Sequence, residues 1–172
     1  PENRYLLDGK PHSLTYGSTM DIELIGELFD NFKRASMQLG MDEALRARVE
    51  RAQRRLPGLQ VGRRGQLQEW AVDYPEAEPS HRHVSHLYVL YPGRAIDMDR
   101  TPGFAAAARR TLELRGDGGT GWSQAWRIAL WARLRDAAQA YANLKLLLLH
   151  STLPNMFDVC PPFQIDGNFG GV

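Results

Sequence analysis

Helical periodicity dominates the chain. Ile22, Ile25, Phe29, Phe32 and Leu39 recur at the spacing of one helix face, and Ser18 with Asp21 forms a capping signal ahead of them. Asp42 opens a second, arginine-rich helix, which must stop near Pro57. Residues 57–80 read as irregular, punctuated by Pro57-Gly58, Pro75 and Pro79. Residues 82–90 are predicted as a short helix ending before Pro92-Gly93. Thr101-Pro102 is an N-cap followed by proline at the first helical position, and the alanine-rich helix it starts should end at Gly116. Trp122 to Leu134 is apolar around most of its circumference, the signature of a helix packed on several sides. Asp136 and Gln139 start a last helix, with Ala140, Tyr141, Leu144 and Leu148 on one face. After His150 the chain loosens into Pro154, Pro161 and Pro162. No strand pair and no repeat is evident, so the expectation is an all-α fold in one domain.

Composition narrows the classes. A chain of 172 residues suits one domain, and a domain of that size buries roughly 70% of its unfolded-chain surface. Hydrophobic residues make up 43% and charged residues 24%, ordinary values for a globular protein. A net charge of +1 gives no reason to expect nucleic acid or an anionic membrane as partner. One cysteine, Cys160, excludes a disulfide framework and a cysteine-rich zinc site. The longest apolar run, Leu146 to Leu149, is far too short to span a bilayer. The chain starts at Pro1 without methionine and stops at Phe169-Gly170-Gly171-Val172, so both ends read as cut from something longer. The absence of a signal peptide therefore carries no weight, and an extracellular or periplasmic setting is expected ahead of a cytoplasmic one.

The chemistry-bearing residues sit in the long connections, which in compact helical proteins are usually functional. Gly116-Asp117-Gly118-Gly119-Thr120-Gly121 matches the pattern G-x-G-x-x-G, which signals a dinucleotide only between a strand and a helix. A helical run precedes it here, so it reads as a cap glycine and a turn, and no cofactor is expected. Three of the five histidines fall in His81-Arg82-His83-Val84-Ser85-His86. On the predicted helix His83 and His86 are neighbours, and Arg82 shares a face with His86. Arg82 repels a cation, and a third ligand at usual spacing is missing, so no metal is expected. A structural role stays open; the favoured reading is that imidazole and guanidinium groups offer directed donors to a hydroxyl-rich ligand. Gln66-Leu67-Gln68-Glu69-Trp70 sets a carboxyl beside an indole. Against an aromatic wall the charged form is disfavoured and the pKa rises, as a general acid needs; the alternative is a glutamate at a helix start. Asp166 and Asn168 are polar positions among Ile165, Gly167 and Phe169. Asp166-Gly167 alone is simply a turn, and Asp158 competes for any acidic role.

Four stretches in order carry a resemblance: Gly65-Gln66-Leu67-Gln68-Glu69-Trp70; His81-Arg82-His83-Val84-Ser85-His86-Leu87; Gly116-Asp117-Gly118-Gly119-Thr120-Gly121-Trp122-Ser123; and Pro161-Pro162-Phe163-Gln164-Ile165-Asp166-Gly167-Asn168-Phe169-Gly170-Gly171. Together they resemble glycoside hydrolase family 95, the inverting 1,2-α-L-fucosidases, over nearly the whole chain. The resemblance implies part of a six-fold α/α barrel (an α/α toroid) and a fucosylated oligosaccharide or glycan as substrate. It implies Glu69 as general acid and Asp166 on the base side. Gln68, Arg82, His83, Trp122 and Asn168 are then expected to bind the sugar. The family's water-activating asparagines lie upstream of anything present here, so the N-terminal remainder of a parent enzyme is an expected partner. The chain alone is expected to be inactive and poorly soluble. Two alternatives stay open: a related α/α-barrel enzyme, an α-L-galactosidase or a lyase, and a non-catalytic carbohydrate-binding fragment.

Overall fold

The computed structural model describes residues 1–160 and the backbone of Phe163 and Gln164. Five α-helices dominate the described residues: α1 (Thr19–Leu39), α2 (Glu43–Gln53), α3 (Pro102–Arg115), α4 (Gly121–Arg133) and α5 (Ala137–His150). The all-α expectation holds. Ser18 caps α1, its hydroxyl accepting from the Asp21 amide and donating to the Asp21 carboxylate at 2.6 Å. Gly40 ends the helix at φ 63°, a conformation glycine adopts without strain. A short loop then returns the chain as α2, which packs on α1 and has no buried residue of its own. Pro102 opens α3 and Gly116 closes it, as the sequence predicts. The alanines pay no volume at the contact face: Ala105, Ala107 and Ala108 are buried, which lets α3 approach the core closely.

Helix α4 is the inner element. Leu130 and Trp131 join Leu67, Leu87, Leu90, Ile96 and Leu112 in the main core. Ala125 and Ile128, on another side, meet Leu147 of α5. Packing on several sides is thus as predicted, but the helix also buries polar Ser123, Gln124 and Arg127. The face of α5 is corrected in part, since Ala140 and Leu144 pack against the core as expected. Tyr141 and Leu148 point outward, at 61% and 47% exposure, while Asn143 and Leu147 are the buried positions. The reason is polar: Gln124 Nε2 donates to Asn143 Oδ1 at 2.7 Å, and this pair turns the Asn143–Leu147 stripe toward α4.

Two further expectations fail. Residues 82–90 form a single 3₁₀ turn, Ser85–Leu87, not a helix. The carbonyls of His81 and His83 accept from the guanidinium of Arg115, at 3.2 and 2.8 Å, so they are committed to a side chain and not to amides one turn on. Arg82 and His86 consequently share no face. Short strand pairs also exist. β1 (Tyr5–Leu7) pairs antiparallel with β2 (Lys10–His12), closed by Asp8 and Gly9 at positive φ. An Asp-Gly pair is the favoured sequence of such a hairpin turn; three-residue strands with Pro11 in one of them gave no alternation to read. β3 (Val159–Cys160) pairs with β4 (Phe163–Gln164) in the same sense.

Leu130 is completely enclosed. Leu130→Ala should therefore lower the unfolding free energy by about 2–5 kcal/mol, read from urea denaturation of the purified protein. An effect under about 1 kcal/mol would show that α4 is not the inner packing element.

Candidate active site

The site is built on a buried charge cluster. Glu69 lies in the irregular segment before α3 and is 4% exposed. Its Oε2 accepts from Arg115 Nη2 at 2.7 Å and its Oε1 accepts from the Ser85 hydroxyl at 3.0 Å. His86 Nδ1 stands 3.6 Å from Oε1, in ionic but not hydrogen-bonding range. Arg115, on the last turn of α3, also donates to Glu76 Oε1 at 3.1 Å besides the two carbonyls already described. The expected rise in the Glu69 pKa is reversed. Burial acts to raise it, but the His86 imidazole, the Arg115 guanidinium and the Ser85 hydroxyl outweigh burial and hold the carboxyl at about 2. The Trp70 ring stands edge-on to Tyr5 at 5.8 Å.

One layer above this cluster lies a cavity of about 480 Å³. Its walls include His83, Ser85, Tyr88 and Tyr91 from the loop, and Trp122 and Trp126 from the first two turns of α4. His83 and Trp122 have ring centroids 5.0 Å apart, and Trp122 and Trp126 5.4 Å apart, both tilted. Trp126 Nε1 donates to the Tyr91 carbonyl at 2.8 Å, which ties helix to loop across the cavity. The result is a mostly apolar aromatic surface with a few polar groups. That composition suits a small polar-edged ligand with an apolar face.

The sequence-predicted residues divide. His83 and Trp122 meet in the cavity wall, and Glu69 lies behind Ser85. Arg82 turns to the rim, donating to Glu2 Oε1 at 2.9 Å, and Glu2 also contacts the His83 ring. Gln68 lines a different cleft, with Thr19 and Trp70. Asp166 and Asn168 lie outside the described residues. His86 turns toward Glu69, while His83 stands between His81, with ring centroids 5.4 Å apart, and Trp122, and among the described residues no group of three or more histidine, cysteine or acidic side chains is assembled for a metal. The glycine-rich stretch is a cap and turn: Gly116 ends α3 at φ 67°, and a Cβ on Gly119 would come within 2.7 Å of Ser123 Oγ. Ser85, Arg115 and Trp126 were missed. Trp126 was legible, one turn after Trp122 on the same helix; Arg115 carried no signal, because a basic residue at a helix C-terminus usually faces solvent.

The family model described as "Glycosyl hydrolase family 95 catalytic domain" matches residues 1–172. The chain is 42% identical to a protein of Arabidopsis thaliana named "Alpha-L-fucosidase 2", over 94% of this chain and 21% of that protein. It is 37% identical to "Probable alpha-fucosidase A" of Aspergillus niger, over 91% of this chain and 21% of that protein. For the protein of the same name from Aspergillus oryzae the identity is 30%, over 91% of this chain and 24% of the relative. The chain thus spans about a fifth to a quarter of the length of these relatives.

The charge cluster makes a pH prediction. The Glu69 carboxyl has an ordinary value of 4.5 and is held at about 2 when folded. Its contribution to stability is then fully present above pH 4.5 and lost as pH falls toward 2. Thermal unfolding followed by near-ultraviolet circular dichroism should show this acid-side decline, and Glu69→Gln should flatten it. An unchanged decline in Glu69→Gln would show that the carboxylate is not held by ion pairing.

Proposed function

The chain belongs to the glycosyl hydrolase family 95 catalytic domain, and on that premise we propose that the protein carrying it hydrolyses terminal α-L-fucosides. The finer reading is an α-1,2-linked fucose on an oligosaccharide or glycan, released with inversion. The observation that carries this proposal is the cavity walled by His83, Trp122 and Trp126. Fucose is a deoxy sugar: one edge carries hydroxyls and another a methyl group. Indole faces cover the apolar patch of the ring and the methyl, while His83 and Ser85 offer hydrogen bonds to the hydroxyl edge.

Inversion requires an acid that protonates the leaving oxygen and a water on the opposite face, with roughly 6.5–9.5 Å between the groups that serve them. The family resemblance assigns the proton to Glu69. The carboxylate described above is ionised at neutral pH and paired with Arg115, so in this arrangement it has no proton to donate. Asp166, expected on the base side, and Asn168 stand as sequence assignments only. No metal or cofactor enters the proposal.

The test is made on the complete protein. It should release free L-fucose from a terminal α-1,2-fucosylated oligosaccharide, and proton NMR should detect the β-anomer first. Trp122→Ala should raise KM at least about tenfold, because an aromatic stacking partner contributes around 0.5–1.5 kcal/mol beyond its buried area. Retention of the α-anomer, or an unchanged KM in Trp122→Ala, would refute the inverting mechanism or the site, respectively. Treatment with a chelator should leave the rate unaltered; loss of activity restored by a divalent ion would overturn the metal-free reading.

A further inference from the structure

We propose that Arg115 is a positioning residue, with Glu69 as its counter-ion, and that the pair sets the sugar-contacting wall formed by His83 and Ser85. The inference rests on the reading of the aromatic cavity as the sugar site. Arg115 is 2% exposed and joins three separate stretches of chain through a single side chain. Its Nη1 reaches the carbonyls of His81 and His83, and its Nη2 reaches Glu69 and Glu76. The planar guanidinium holds these acceptors in fixed directions, which the compact ammonium of a lysine cannot reproduce.

The stretch 81–84 has no helix or strand of its own. The orientation of His83 against Trp122 therefore depends on the contacts that hold its backbone, and the Arg115 bond to the His83 carbonyl, at 2.8 Å, is one of them. Glu69 acts on the neighbouring wall residue. The Ser85 hydroxyl has one proton, and it is given to Glu69 Oε1 at 3.0 Å. Ser85 lines the cavity, and with its proton so committed its hydroxyl can serve a ligand as an acceptor only. One buried carboxylate thus fixes the rotor of Ser85 directly and the His83 backbone through Arg115. This is a role in binding geometry and needs no proton from Glu69.

The experiment uses the complete protein with two substrates, a natural fucosyl oligosaccharide and an aryl fucoside whose leaving group needs no protonation. Arg115→Lys should raise KM about tenfold or more on both, with kcat changed by less than about threefold, since uniform binding is what is lost. Glu69→Gln should show the same equal rise on both. Hydrogen exchange of residues 81–87 should accelerate at least about tenfold in Arg115→Lys, with α3, α4 and α5 unaltered. That readout needs no sugar, so it separates failure of this inference from failure of the proposed activity. Ser85→Ala leaves no buried charge exposed and serves if either variant fails to fold: a rise in KM on both substrates supports the proposal. A loss of kcat in Glu69→Gln confined to the natural substrate, with KM unchanged, would overturn it in favour of a proton donor. Unaltered exchange in 81–87 would also overturn it.

Discussion

The arrangement of this chain depends on one buried ion pair. Glu69 and Arg115 are each almost fully enclosed, and their contact at 2.7 Å joins the irregular segment before α3 to the last turn of that helix. Removing either charge from water is costly, and the mutual attraction offsets this only with good geometry and further hydrogen bonds. Further bonds are present here: Ser85 donates to Glu69, and Arg115 donates to Glu76 and to two backbone carbonyls, while its Nε is buried without a partner among the described residues. Such a pair is weak evidence of net stability, but breaking it by removing one partner is expected to be strongly destabilising, by about 3–5 kcal/mol.

Helix α4 supplies the opposite wall and links the site to the core. Its Leu130 and Trp131 are packed into the main core, and Ala125 and Ile128 against α5. Trp122 and Trp126, at its N-terminal end, are carried into the cavity on a rigid element. The Trp126 bond to the Tyr91 carbonyl then couples this helix to the loop that the ion pair holds from the other side. Aromatic wall and polar wall are thus coupled and meet at His83 and Trp122. Side chains held in this way lose little freedom when a ligand arrives, which favours affinity.

Much of the helical framework was legible along the chain. Ser18, Gly40, Pro102, Gly116 and Asp136 mark helix ends through local hydrogen bonds or backbone conformation, and local rules do not need the rest of the fold. The inner status of α4 followed from apolar residues on several sides of one helix. The four sequence stretches also pointed to a carbohydrate-active family before any coordinates. What could not be read was which way a polar group turns. Periodicity ranks Tyr141 and Leu148 with the buried stripe of α5, yet the Gln124–Asn143 hydrogen bond selects the neighbouring stripe.

The sequence by itself determined where helices begin and end and that α4 lies inside. Those properties come from side-chain size, capping groups and hydrophobic spacing, all of which act over a few residues. Only the tertiary structure decided that residues 82–90 are not a helix, that Glu69 is ionised, and that Arg82 and Gln68 lie away from the cavity wall. Each of these depends on partners far along the chain: Arg115 lies 46 positions from Glu69 and 32 from His83. A neighbouring tryptophan argued for a raised carboxyl pKa; burial does act that way, but the His86 imidazole, then the Arg115 guanidinium and the Ser85 hydroxyl, lower it, because electrostatics responds to proximity in space and not in sequence.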